Sequence, residues 1–223
     1  MKNNFIDKLG VTNLKSGLIT IGSSVNTGRT TLLSVVAAEF YHDGKNVLFI
    51  TQELDEKSIM QKIRKSLLGL PPNLNFCSLK IKRLPSPSTL KYVLQTQFAA
   101  TNYDVVIIDT FLGDLSDYEF LRELSQDKNC VIMNGIQRQN NMIEADVIKF
   151  IPSKSLFLSD MVINMDRVNA NEPSFWVKLK YFLCFWLKKP VPPNRTLKIL
   201  KNRFGEQGVN IDINIDFEKV KIK

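Results

Sequence analysis

The run Leu18-Ile19-Thr20-Ile21-Gly22-Ser23-Ser24-Val25-Asn26-Thr27-Gly28-Arg29-Thr30-Thr31 carries the most informative pattern in the chain. It opens as a short apolar run, passes through small polar residues and leads into an amphipathic segment. From Thr30 to Tyr41, the residues Leu32, Leu33, Val36, Ala37 and Phe40 fall on one helical stripe, which His42-Asp43-Gly44 closes. The pattern predicts strand, loop, helix. Gly22, Ser23, Asn26, Thr27 and Gly28 leave successive backbone N–H groups accessible, and the helix N-terminus adds positive potential for a phosphate. The usual phosphate loop is G-x-x-x-x-G-K-[ST], with its lysine on the outer phosphates and its hydroxyl on magnesium. Here Gly28 and Thr30 match, the first glycine position falls on Ser23 with Gly22 one place earlier, and Arg29 holds the lysine position. Arginine keeps the charge but is longer and planar, so it need not place that charge where lysine does. The plainer reading is a tight strand-to-helix turn of any doubly wound sheet. The surrounding sequence favours the phosphate loop.

Further short apolar runs lie at Asn46 to Ile50, Val105 to Ile108, Cys130 to Met133 and Met161 to Met165. Their hydrophobicity is continuous rather than alternating, as expected of strands covered on both faces in a parallel sheet. Helical patterns span Lys57 to Leu67, Leu90 to Ala100 and Tyr118 to Ser125, and Ser78 to Lys82 reads as a short strand in a basic patch. Thr196 to Lys201 and Val209 to Ile215 flank the turn Gly205-Glu206-Gln207-Gly208, a hairpin signature. The order predicts an α/β fold, with a mostly parallel central sheet flanked by helices and a C-terminal β-hairpin. One domain spans 1–223, interrupted by an aromatic and basic insertion at about 168–195. Within it, Phe175 to Pro193 reads as a buried helix, as a partner-docking element or, less favoured, an interfacial helix in membrane contact, or as a base-stacking platform.

Composition narrows the chemistry. The chain has 223 residues, 44% hydrophobic and 23% charged, enough to form a core without disulfides or metal. Cys77, Cys130 and Cys184 form no CxxC pair and His42 is the single histidine, which disfavours structural zinc and paired-histidine catalysis. Met1 to Gly10 holds no apolar run long enough for a signal peptide, and no run approaches a membrane span, so a reduced, cytoplasmic setting is expected. The net charge of +8 is unevenly spread. Lys57 to Tyr103 and Pro173 to Gly205 contain no acid and eight basic residues each, leaving the rest of the chain at −8. Such a footprint favours a polyanionic partner, with nucleic acid foremost and a merely solvated basic face as the alternative.

Three further features accompany the loop. The strand Val105 to Ile108 ends in Asp109, a carboxylate suited to a magnesium-nucleotide site. The second strand runs into Thr51-Gln52-Glu53, where a carboxylate can orient an attacking water. Near the C-terminus, Lys201-Asn202-Arg203-Phe204-Gly205 sets two cations two residues apart. Together these residues resemble the RecA-like ATPase core over about Phe5 to Phe217, and within it the ring-forming replicative helicases of the DnaB type. Lys-Asn-Arg-Phe-Gly is also similar to its counterpart in RadA-type ATPases. Ser153 to Leu156, leading into Asp160-Met161-Val162, resembles the stretch before a later core strand.

The resemblance implies ATP and Mg2+ as cofactors. Gly22, Ser23, Asn26, Thr27, Gly28, Arg29, Thr30 and Thr31 would hold the nucleotide, and Thr30 and Asp109 the metal. Glu53 would activate water, and Lys201 and Arg203 would reach a neighbouring subunit's nucleotide. Gln137 takes the place of a γ-phosphate sensor, displaced from the expected strand end. The implied partners are DNA in single-stranded form and either further copies of the chain or a replisome protein. No collar domain or linker helix is expected before the core, and the short chain suits a phage or mobile element. Arg29 also fits a degenerate accessory or helicase-loading protein, and a RadA-like recombination ATPase is a third reading.

Overall fold

The computed structural model describes residues 4–24, 26–68, 70, 77–111, 113–138, 157–168 and 194–222. The aromatic-basic stretch Phe175 to Pro193, Ser153 to Leu156 and the side chain of Gln137 lie outside the described residues.

The architecture is α/β, with an eight-stranded, mostly parallel sheet between two layers of helices. In chain order the elements are α1 (Phe5–Lys8), β1 (Gly17–Ser24), α2 (Arg29–His42), β2 (Val47–Thr51), α3 (Glu56–Leu67) and β3 (Leu79–Arg83). They continue with α4 (Leu90–Ala100), β4 (Val105–Asp109), α5 (Leu115–Asp127), β5 (Val131–Arg138) and β6 (Met161–Arg167). The chain closes with β7 (Arg195–Asn202), β8 (Asn210–Ile213), β9 (Ile215–Asp216) and β10 (Lys221–Ile222). The sheet order is β3-β2-β4-β5-β1-β6-β7-β8, parallel from β3 through β6 and antiparallel at β7 and β8.

The continuous apolar runs have a simple cause. Along β1, Ile19 and Ile21 face α2 while Leu18 faces the opposite core; along β4, Ile107 and Ile108 divide the same way. One core packs Ile6, Leu32, Leu33 and Ile59 of α1, α2 and α3 on the sheet, and the other packs Leu94, Phe98, Tyr118 and Leu121 of α4 and α5. With both faces dry, no strand position needs a polar residue.

Boundaries move where pairing or capping overrides hydrophobicity. The β1 strand continues past Ile21 because Gly22, Ser23 and Ser24 remain paired to β5, and β5 itself runs beyond Met133 to Arg138. Gln137 is therefore inside the strand, its backbone beside Ser23. The α5 helix starts at Leu115, earlier than expected, because Asp114 and Asp117 form a reciprocal capping box. The single strand expected over Val209 to Ile215 is two strands. Asn194 exchanges two side-chain hydrogen bonds of 2.9 Å with the Ile215 backbone, and beyond it β9 pairs with β10 rather than extending the hairpin. No helix among the described residues is long and apolar enough to cross a membrane.

Candidate functional site

Parallel pairing gathers the C-terminal ends of β1, β2 and β4 at one edge of the sheet, where Asp109 pairs with Thr51. Between β1 and β4 lies β5, whose chain later reaches β6 on the other side of β1, so the loop after β1 stands where strand order reverses. Crevices of this kind are the usual ligand sites of open α/β sheets.

The loop is tightly turned. Asn26 and Gly28 take left-handed φ values of 58° and 98°, Thr27 Oγ1 donates to Ser24 O at 2.8 Å, and Gly28 caps α2 without a side-chain hydrogen bond. The first-turn N–H groups of a helix have no intrahelical acceptor, so a cap of this kind leaves them for an anion. A cleft of about 180 Å³ opens there, lined by Ser23, Ser24, Asn26 to Thr31 and Glu53. Ser23 Oγ is buried in this lining and has no hydrogen-bond partner among the described residues.

Asp109 is fully buried behind Arg29 and Thr30 of the cleft lining, on the sheet face that carries α2. Its Oδ2 accepts from the Thr30 hydroxyl at 2.7 Å, and its Oδ1 accepts from Arg29 Nε at 3.1 Å. The Arg29 guanidinium also donates to Thr110 Oγ1 and stands 3.6 Å from Glu53 Oε1. Thr110 holds a left-handed φ of 65°, uncommon for a β-branched residue, which accompanies its contact with Arg29. Arg29 is only 6% exposed and its side chain crosses Gly135 of β5. Glu53, by contrast, is 45% exposed at the cleft rim. Thr30 and Asp109 thus offer the hard oxygen donors that magnesium takes, and no group of three or more metal-binding His, Cys, Asp or Glu occurs among the described residues.

The loop's outer wall comes from the C-terminal part of the chain. Arg167 donates to Asn26 O, Arg195 donates to Thr27 O and lies over the Phe217 ring, and that ring rests on Gly28. A Cβ at Gly28 would stand 2.6 Å from Phe217.

Lys201 and Arg203 are elsewhere. Antiparallel pairing sets Lys201 beside Val162, at the starting ends of the parallel strands. That is roughly 15 Å of strand from the loop. Lys201 Nζ donates to Phe157 O at 2.8 Å; Arg203, just past the end of β7, donates to Asp160 Oδ1 at 3.0 Å and to Phe157 O at 3.2 Å. Partial burial, followed by the nearby Arg203 charge, lowers the Lys201 pKa.

The structure therefore brings Gly28, Arg29, Thr30, Glu53 and Asp109 together and keeps Lys201 and Arg203 apart from them. Gly135, Arg167 and Phe217 carried no signal in the sequence, because each meets the loop only through sheet pairing or chain return. No protein-family model matches the chain, and a search of curated proteins finds no match.

Proposed function

We propose that the chain is a RecA-like P-loop domain that binds ATP with magnesium in the cleft of the Gly22–Thr31 loop and acts on DNA. The observation that carries the reading is the convergence of the loop, Thr30 and Glu53 on one cleft, with Asp109 buried directly behind Thr30. Loop amides and the start of α2 hold the phosphates, with the unpartnered Ser23 hydroxyl available to them. Magnesium, held by the Thr30 hydroxyl and the Asp109 carboxylate, would neutralise phosphate charge. Glu53, at the rim, accepts the proton of an attacking water. Lys201 and Arg203 lie too far from their own loop to assist and serve a neighbouring copy of the chain. DNA, in single-stranded form, binds the surface of the acid-free stretch Lys57 to Tyr103, which runs from α3 through β3 and α4.

Calorimetry with a non-hydrolysable ATP analogue and magnesium tests the reading. Binding at the loop is expected, and none at millimolar analogue, with folded protein and single-stranded DNA supplied, would overturn it. The DNA half predicts that log affinity falls steeply with log salt. A flat response rejects it.

One observation favours a second reading, an accessory protein that binds nucleotide without turning it over. Arg29, though it lines the cleft, spends its Nε on the buried Asp109 carboxylate. Turnover measured beside Arg29→Lys separates the two, since the accessory reading expects little turnover in the native chain and a gain in the variant.

A further inference from the structure

We propose that Arg29 is the resident counter-ion of Asp109, seated there by Gly135, and that a divalent cation reaches Asp109 only by displacing it. Asp109 is fully buried and both its oxygens are engaged, Oδ1 by Arg29 Nε at 3.1 Å and Oδ2 by the Thr30 hydroxyl at 2.7 Å. A buried carboxylate that stays ionised is strongly destabilised without a compensating positive charge. A guanidinium and a divalent ion on the same carboxylate repel each other strongly where water is scarce. Occupancy of Asp109 is therefore exclusive.

The way out is short. Arg29 lines the cleft, and Glu53 Oε1, 3.6 Å from the guanidinium, offers a second carboxylate at the rim. Gly135 sets the balance between the two positions. A Cβ there would lie 2.9 Å from Arg29 Cδ, 3.1 Å from Arg29 Nε and 3.0 Å from Leu33 Cδ1. Gly135 is not among the left-handed glycines, so alanine meets no backbone strain, and its methyl presses on the Arg29 side chain at Cδ and Nε and on Cδ1 of the buried Leu33. Gly135→Ala thus unseats the guanidinium while leaving every charge in place. Once released, Arg29 is free to meet phosphates at the loop, which makes metal and nucleotide binding cooperative; this second part rests on the proposed nucleotide site.

The test uses Mn2+ as the probe, with free and bound metal measured by electron paramagnetic resonance on the full chain without nucleotide. Arg29→Ala is expected to bind Mn2+ about tenfold or more tightly than the native chain, and Gly135→Ala about fivefold, within the usual span of coupled sites. Adding Asp109→Asn to either variant should return binding to the native level. Should Arg29→Ala fail to fold, Gly135→Ala decides alone, with thermal unfolding verifying its fold. Native-level Mn2+ binding in a folded Gly135→Ala chain overturns the proposal, as does a gain that survives Asp109→Asn. Loss of the nucleotide site would show as absent ATP binding and leave the Mn2+ comparison intact.

Discussion

Two arginine–aspartate pairs of nearly equal length stand at opposite ends of the sheet. Arg29–Asp109 spans 3.1 Å with side chains 6% and 0% exposed, whereas Arg203–Asp160 spans 3.0 Å with 37% and 14% exposed. Distance does not distinguish them; water does. At the loop end the pair is buried, so removal of Arg29 leaves Asp109 without a counter-charge, and removal of Asp109 leaves Arg29 only the half-exposed Glu53. At the far end solvent screens the pair and hydrates whichever partner remains. The loop end also holds the unpartnered Ser23 hydroxyl and two left-handed loop residues, while the far-end cations are fastened to backbone carbonyls. The same ion types thus give a constrained site at one end and a surface clasp at the other.

The largest expected effect is on turnover at the loop end. If Glu53 is the base, Glu53→Gln should suppress ATP hydrolysis by about 10²–10⁴-fold while nucleotide affinity barely changes, because the carboxylate acts chiefly in the transition state. Single-turnover kinetics beside calorimetry checks both halves, and unchanged turnover would move the base elsewhere. Next comes folding stability. Asp109→Asn removes the buried counter-charge of Arg29, leaving the guanidinium only the half-exposed Glu53 carboxylate at 3.6 Å, and should cost up to about 3–5 kcal/mol in urea unfolding. A loss under about 1 kcal/mol, the range of a screened surface pair, would erase the contrast between the two ends.

Much of the loop end was legible in the sequence because its parts are local. Asp109 closes β4, Thr30 lies in the first turn of α2 and Glu53 follows the end of β2 by two residues, and continuous apolar runs announce buried parallel strands wherever both faces are dry. What stayed hidden depends on distant segments. Nothing near Arg29 says that it turns to Asp109 rather than outward, since that choice is made by the missing side chain at Gly135, on a strand between them. The polar ends of β1 and β5 read as loop until their mutual pairing holds them in the sheet. At the far end, the spacing of Lys201 and Arg203 was plain, but their carbonyl partners come from Phe157 to Ser159, on a chain segment more than forty residues away. The split between β8 and β9 likewise follows from Asn194, outside the stretch it interrupts.

A smaller effect sharpens the loop end itself. Gly28 combines a left-handed φ of 98° with the Phe217 ring on its open side, so Gly28→Ala should cost about 1–2 kcal/mol from the backbone alone. The contact adds to this, because Arg195 lies over the ring and limits its retreat. Pairing Gly28→Ala with Phe217→Ala separates the terms. The double variant should recover the steric part and keep the backbone part, and full recovery would mean that the left-handed turn carries no cost.

The smallest effect on folding is expected at the far end, and it decides what Lys201 and Arg203 are for. Arg203→Ala removes the 3.0 Å contact to Asp160 and the 3.2 Å contact to Phe157 O, but its backbone N–H still donates to Asp160 O at 2.9 Å. Asp160 Oδ2 also keeps its hydrogen bond from the Leu18 N–H. Loss of the neighbouring positive charge relieves Lys201, whose pKa Arg203 helps to lower, so the remaining lysine holds its proton more firmly. With solvent screening as well, the stability change should stay within about 0–1 kcal/mol. Turnover is then a clean readout. If Arg203 serves a neighbour's nucleotide, Arg203→Ala should abolish hydrolysis without weakening nucleotide binding, and mixing it with Glu53→Gln protein should restore part of the activity at mixed interfaces. Normal turnover by Arg203→Ala, or full native activity from a demonstrably monomeric sample, would leave the pair with its fastening role alone. A stability loss of several kcal/mol would point the same way, because a residue that merely waits for a neighbour has no reason to hold its own fold together.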